Sequence, residues 1–238
     1  MLFDLDDTLF AHRDAVERGL LAYVRGLGHP YDASDADAET AFWRRLEEQH
    51  YHRYLGGELS HEEQRRARAR EYAARHGVTL TPEAAAAWFS DYFEHYTDEW
   101  GLFDDALPCL DSLRARLPGV RLGIVTNGEL DYQLRKIDAI GIRDRFDAIV
   151  ASGDVGITKP DVRIFQLACT RLEVEPEQAA YVGDRLGTDA IGAARAGLTG
   201  VWIDRYGAEV SESEHAAAEQ LGVARITGLA ALPAALDL

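Results

Sequence analysis

The sequence predicts an α/β protein: a parallel sheet covered by helices on both faces, interrupted after its first strand by an all-helical insertion. Three observations carry this reading. Residues 2–5, Leu2-Phe3-Asp4-Leu5, form a short apolar run that reads as a buried strand. Residues 11–100 show helical patterns only. From residue 101 onward, short apolar strands alternate with helices, the pattern of right-handed βαβ crossovers in a parallel sheet. The first strand has no partner close to it in sequence. It therefore has to join the later sheet, which divides the chain into a core of residues 1–10 and 101–238 and an insertion of residues 11–100.

Taken in order, the first strand runs straight into Asp4, Asp6, Asp7 and Thr8. Asp is depleted from strands and costly to bury, so this ending makes sense where a strand's carboxyl end opens into a site. An acidic cap on the following helix is the other reading. The strand is short, and a start site placed a few codons late would account for that. His12 and Arg13 follow as helix-start residues.

In the insertion, Val16, Leu20, Leu21, Val24 and Leu27 share a helix face that Gly28 and Pro30 end. Ser34 or Asp35 caps a second helix carrying Phe42, Leu46 and Tyr54, stopped at Gly56-Gly57. Ser60 and Glu63 make a capping box for a polar helix over 62–76 that Gly77 closes. Thr81-Pro82-Glu83 opens a fourth helix, whose Trp88, Phe89, Tyr92, Phe93 and Tyr96 read as core. His50, Tyr51, His52 and Tyr54 read as a pocket rim. His50 and His52 do not share a helix face, so no metal site is assigned to them.

In the second half the pattern places helices at 107–117, 129–140, 159–172, 188–196 and 211–221, with a weak one at 229–236. Strands fall at 120–126, 148–151, 180–182 and 200–203.

With 238 residues, 47% of them hydrophobic and 28% charged, the chain is an ordinary globular protein of one large or two small domains. A formal net charge of −16 argues against nucleic-acid partners, because the phosphate backbone rewards basic faces. An anionic substrate would need a local cation. Cys109 and Cys169 are far apart in sequence and lack His partners at ligand spacing, which argues against a disulfide framework or structural zinc and fits a reducing cytoplasm. No segment reaches the ~20 apolar residues needed to cross a membrane. The expectation is a cytoplasmic monomer or homodimer with no membrane partner.

Four strand ends carry polar residues suited to phosphoryl transfer. The first supplies Asp4, Asp6 and Thr8. The second supplies Thr126-Asn127-Gly128, whose hydroxyl, amide and permissive backbone suit a phosphate near a helix N-terminus; T-N-G is also a common turn. The third is Gly156-Ile157-Thr158-Lys159-Pro160-Asp161, a lysine before a helix-opening proline. Lys136 and Lys159 are the only lysines in a chain that otherwise uses arginine, so a compact ammonium at 159 looks less like a solvated surface choice. The fourth, Gly183-Asp184 followed by Asp189, sets two carboxylates at the mouth of a helix, as a Mg²⁺ site or as an ordinary loop with a capping Asp.

Together the four clusters resemble the haloacid dehalogenase superfamily of hydrolases: D-x-D-x-T as Asp4-Leu5-Asp6-Asp7-Thr8, then Thr126-Asn127, then Lys159-Pro160, then Gly183-Asp184 with Asp189. The likeness covers the first strand and residues 101–203, including Gln133, Lys136, Phe146-Asp147 and Ile164-Phe165. The resemblance implies a Rossmann-like three-layer core whose inserted all-α domain acts as a cap and sets specificity. It implies Asp4 as nucleophile forming an aspartyl-phosphate, and Asp6 as acid and base. Thr126, Asn127 and Lys159 would hold the phosphoryl group. Mg²⁺ would lie on Asp4, the Asp6 backbone carbonyl and Asp184, with Asp189 either ligating it directly or orienting the site.

A halide leaving group needs no proton, so the second carboxylate, Asp6, favours a phosphatase over a 2-haloacid dehalogenase. The substrate expected is a small phosphorylated metabolite, with a lean toward nucleoside monophosphates or acylated sugar-acid phosphates. A phosphosugar mutase and a binding protein without catalysis are the alternatives.

Overall fold

A computed structural model describes residues 1–31 and 35–238. Ser34, one of the two cap candidates, lies outside the described residues. The chain forms two compact units: Met1–His12 with Gly101–Leu238, and Arg13–Trp100.

The helical unit is built from α1 (His12–Leu27, which starts at the junction), α2 (Ala36–Leu55), α3 (His61–Arg75) and α4 (Pro82–Asp98). The ends are set by local chemistry. Asp35 caps α2 by accepting from the Asp37 N–H, Ser60 and Glu63 form the reciprocal box on α3, and Thr81 caps α4 ahead of Pro82. The interior is aromatic. Trp43 is fully buried, edge-on to Tyr92 at 4.8 Å and Tyr72 at 5.5 Å, and its indole N–H donates to the Tyr92 hydroxyl at 3.2 Å. Arg68 lays its guanidinium 4.6 Å above Trp43 and pairs with Glu47 at 2.8 Å, which satisfies a cation that is almost fully buried. Gly19 lets α1 and α4 touch backbone to backbone, because a Cβ there would sit 2.6 Å from Tyr96 Cα. His50 is fully buried and held 3.0 Å from Glu71, so it belongs to the interior and not to a pocket rim.

The other unit is a six-stranded parallel sheet in the order β3-β2-β1-β4-β5-β6, from β1 (Leu2–Phe3), β2 (Gly123–Thr126), β3 (Ala148–Ala151), β4 (Ala180–Gly183), β5 (Thr199–Ile203) and β6 (Ala224–Ile226). This is an α/β, Rossmann-like core. Although β1 is two residues long, it is central: Leu2 is in register with Gly123 and Tyr181, and Phe3 with Ile124 and Val182. The Asp4 N–H extends the pairing to the Val182 carbonyl at 2.8 Å. The strand order reverses between β1 and β4, and in open α/β sheets ligands bind at the carboxyl ends of such a pair.

Helices α5 (Ala106–Arg116), α6 (Leu130–Ala139), α7 (Ser152–Val155), α8 (Val162–Arg171), α9 (Gly192–Arg195), α10 (Glu212–Gln220) and α11 (Leu232–Ala235) connect and cover the strands. Leu2, Val125, Val150, Ile164, Phe165 and Tyr181 lie in one buried cluster, so the sheet's apolar runs are explained by burial under helices.

Two expected helices differ, the strand expected at 120–126 begins at Gly123, and α7 and β6 have no expected counterpart. The helix expected from Lys159 starts at Val162, because Asp161 caps it by accepting from the Arg163 N–H. The helix expected at 188–196 is a π-helical turn, Leu186–Ile191, running into α9. The edge strand β6 has no counterpart in the sequence reading: only Ile226 of its three residues is buried, which leaves too little apolar signal. No helix among the described residues is long and apolar enough to cross a membrane.

Candidate active site

The site residues belong to the core unit and lie at the carboxyl ends of β1, β2 and β4. β1 delivers Asp4, after which the chain turns sharply. The Leu9 and Phe10 N–H groups both donate to the Leu5 carbonyl, at 3.0 and 2.9 Å, and Asp7 takes the left-handed conformation at φ 56°. Asp is among the few residues that adopt it readily, which gives Asp7 a conformational role.

Lys159 forms the centre of a buried network. Its ammonium donates to Asp4 Oδ1 at 2.5 Å, to Asp189 Oδ1 at 2.7 Å and to the Tyr181 hydroxyl oxygen at 2.9 Å, which uses all three of its protons. Tyr181 in turn donates to the Val125 carbonyl at 2.9 Å, so its oxygen is left to accept. Asp189 Oδ2 accepts from the Arg185 N–H at 2.9 Å, and the Asp184 carbonyl is held by the Trp202 indole N–H at 2.8 Å. Gly183 is required by this packing, since a Cβ there would stand 2.4 Å from Asp189 Cβ.

Carboxylate oxygens of Asp4, Asp184 and Asp189 come within 4.8 Å of one another. Burial pushes the Asp4 carboxyl up to about 7 despite the pull of Lys159, and Asp189 adds to the rise. Burial, then Asp189, Asp4 and Asp7, raise Asp184 well above the carboxylate range. Lys159 itself is raised: burial opposes its charge, and Asp189 and Asp4 outweigh burial. One ammonium faces three crowded carboxylates. An all-oxygen donor set with an excess of negative charge fits a hard divalent cation such as Mg²⁺.

Asp6 points elsewhere. Both of its oxygens meet Lys136 of α6, at 2.7 and 3.0 Å, while Gln133 Nε2 lies 3.5 Å from Oδ2. Burial opposes ionisation of Asp6, but Lys136, with His12 and Gln133, outweighs it and holds the carboxyl below its usual value. Thr126 is buried and its hydroxyl accepts from Gln133 Nε2 at 3.0 Å, leaving its own proton to donate. Asn127 is engaged on both sides with the Lys159 backbone: Oδ1 accepts the N–H at 2.9 Å and Nδ2 donates to the carbonyl at 3.1 Å. Its amide therefore fastens the two loops together.

Asp4, Lys159, Asp184 and Asp189 thus converge directly, Asp6 sits on the same turn, and Thr126 and Asn127 join through Gln133 and Lys159. Sequence reasoning passed over Tyr181, whose signal is lost inside an apolar strand, and gave Lys136 and Gln133 no role. For Lys136 a signal existed: it is the other of the chain's two lysines.

A crowded carboxylate cluster, a buried lysine and a further carboxylate on the same turn lie together at the switch point of a parallel sheet, where open α/β folds bind their ligands. The family model of haloacid dehalogenase-like hydrolases matches residues 1–197, and the chain belongs to that family. Among curated proteins it is 33% identical to a glyceraldehyde 3-phosphate phosphatase of Methanopyrus kandleri, over 86% of this chain and 83% of that one. It is also 33% identical to the human N-acylneuraminate-9-phosphatase, over 87% of this chain and 83% of the relative. Among solved structures, the HAD hydrolase YfnB of Bacillus subtilis, bound to magnesium, superposes with a TM-score of 0.77 at 21% identity, covering 100% of this chain and 97% of that one. The chain is a phosphatase-type member of the family, a phosphoric monoester hydrolase.

Proposed function

We propose that the protein is a Mg²⁺-dependent phosphatase that hydrolyses a small phosphorylated metabolite through an aspartyl-phosphate on Asp4. The observation that carries this is Asp4 held by Lys159 beside Asp184 and Asp189, with a second carboxylate, Asp6, two residues on. Asp4 attacks phosphorus and the bond to the leaving oxygen breaks; Asp6, ionised beside Lys136 in the free protein, takes up a proton as substrate binds and gives it to that oxygen. Asp6 then takes a proton from the water that attacks the phosphorus, releasing phosphate and restoring Asp4.

A carboxylate approaching a phosphate dianion meets like-charge repulsion. Lys159 and the Thr126 hydroxyl supply donors on the protein's side. Mg²⁺ bound by Asp4, the Asp6 carbonyl, Asp184 and Asp189 would neutralise charge on the phosphoryl oxygens. The magnesium in the B. subtilis neighbour supports this choice of ion. Two relatives named for phosphates of a small aldehyde and of a sugar acid support a substrate of that size and kind.

The test is hydrolysis of p-nitrophenyl phosphate with and without Mg²⁺, followed by a panel of sugar, sugar-acid and nucleoside phosphates assayed for released phosphate. Asp4→Asn should abolish turnover while the circular dichroism spectrum is unchanged. Retained turnover would overturn the assignment of Asp4, and isomerised product without phosphate release would point to a mutase.

A further inference from the structure

Both lysines of this chain end on carboxylates of the β1 turn, Lys159 on Asp4 and Lys136 on Asp6. The second pair has a different character from the first. Lys136 is almost fully buried, its side chain 3% exposed, whereas the Asp6 side chain keeps 31% of its surface open. The ammonium straddles both Asp6 oxygens, at 2.7 and 3.0 Å, and lies over the rings of Phe10 at 5.1 Å and Tyr132 at 4.8 Å. Gln133, one turn earlier on the same face of α6, bonds Thr126 Oγ1 and the Asn127 carbonyl and reaches toward Asp6 Oδ2.

A compact ammonium on a long apolar stem fits between two rings and the carboxylate.

We propose that Lys136 is a positioning residue for Asp6, holding both carboxyl oxygens so that the exposed side of the group keeps one orientation toward the leaving oxygen of the substrate. The proposal rests on the reading of Asp6 as acid and base. Its physical basis is that an aspartate at the end of two rotatable bonds on an open turn loses proton-transfer geometry when unheld, and small misplacements are expensive in rate.

The experiment compares kcat/KM for an alkyl phosphate and for p-nitrophenyl phosphate, with Mg²⁺, in wild type, Lys136→Met, Lys136→Arg and Asp6→Asn. kcat/KM reports the steps up to the aspartyl-phosphate, in which the alkoxide needs a proton and nitrophenolate does not. Lys136→Met should lower the alkyl-to-aryl ratio on the order of 10–100-fold, a part of the roughly 10²–10⁴-fold that general acid catalysis contributes, and Lys136→Arg should recover part of it. An equal loss on both substrates, or no loss, would overturn the proposal.

Asp6→Asn separates the two readings. If it lowers the ratio and Lys136→Met does not, the positioning role alone fails. If Asp6→Asn leaves the ratio unchanged, the acid reading fails and the positioning role falls with it. Lys136→Gln serves should the methionine variant not fold, and loss of fold in both would make Lys136 structural and overturn the proposal.

Discussion

Asp105 accepts both terminal nitrogens of Arg205, at 2.8 and 3.1 Å, and the same guanidinium donates to the Thr8 carbonyl at 2.9 Å. The ring of Phe103 lies 3.8 Å beneath the guanidinium carbon, and Asp105 also accepts the Leu229 N–H at 2.8 Å. One ion pair thereby ties the turn after β1 to the segment following β5 and to the C-terminal region. The pair is largely buried, with side-chain exposures of 10% and 25%, so removing one partner strands the other. Arg205→Ala should cost about 2–3 kcal/mol, read as a lower urea midpoint at unchanged slope, and should reduce kcat by loosening the turn that carries Asp4 and Asp6. An unshifted midpoint would remove the clamp from the account.

Gly183→Ala places a methyl group against Asp189 Cβ at 2.4 Å, where both atoms are fixed to backbone. The expected outcome is a stable but weakened fold, about 1–3 kcal/mol less stable, with activity reduced far more than stability because Asp189 leaves Lys159. Paired thermal melts and turnover measurements separate the two effects.

The helical unit should carry a pH dependence of its own. Burial lowers the His50 pKa; Glu71 pulls it up, and Arg53 and Arg68 push it down, leaving a net fall. Folding then favours the neutral imidazole, and in the window below the ordinary value of ~6.5 the unfolded chain binds more protons. The stability due to His50 is full above that value and is lost as pH falls toward the lowered one. Melting temperatures of wild type should drop more steeply than those of His50→Gln between pH 7 and pH 5. Parallel curves would show that His50 does not contribute.

Chelation gives a fourth prediction. EDTA should abolish turnover and Mg²⁺ restore it, and added Mg²⁺ should raise the melting temperature, since a ligand that binds only the folded chain stabilises it. The rise should shrink in Asp184→Asn, where one of the three crowded carboxylates is neutralised. A melting temperature indifferent to Mg²⁺ would argue against a cation at this cluster.

The strands and helices of the core were legible because apolar runs and caps are local signals. β1 could be placed in the sheet because nothing near it in sequence could pair with it. Asp4, Lys159 and Asp184 stand out because a carboxylate or a lysine at a strand end conflicts with local propensity. Tyr181, Arg205 and Asp105 do not conflict with anything local. Tyr181 is a good strand residue whose hydroxyl matters only once β2 lies beside β1 and α8 follows, and Arg205 meets Thr8 across 197 residues of chain. β6 was missed for the opposite reason: it has almost no apolar face, and its place is fixed by pairing with β5 and by Arg225 reaching Asp204 at 2.6 Å.

Because both ε-amines are sealed into ion pairs, neither lysine of residues 1–238 is offered at the surface to amine-directed reagents. Acylation of Lys136 or Lys159, followed peptide by peptide over time, therefore acts as a clock for excursions in which the β1 turn comes undone. Isotope-coded acetylation would time those openings separately at the two carboxylates, with no engineered label.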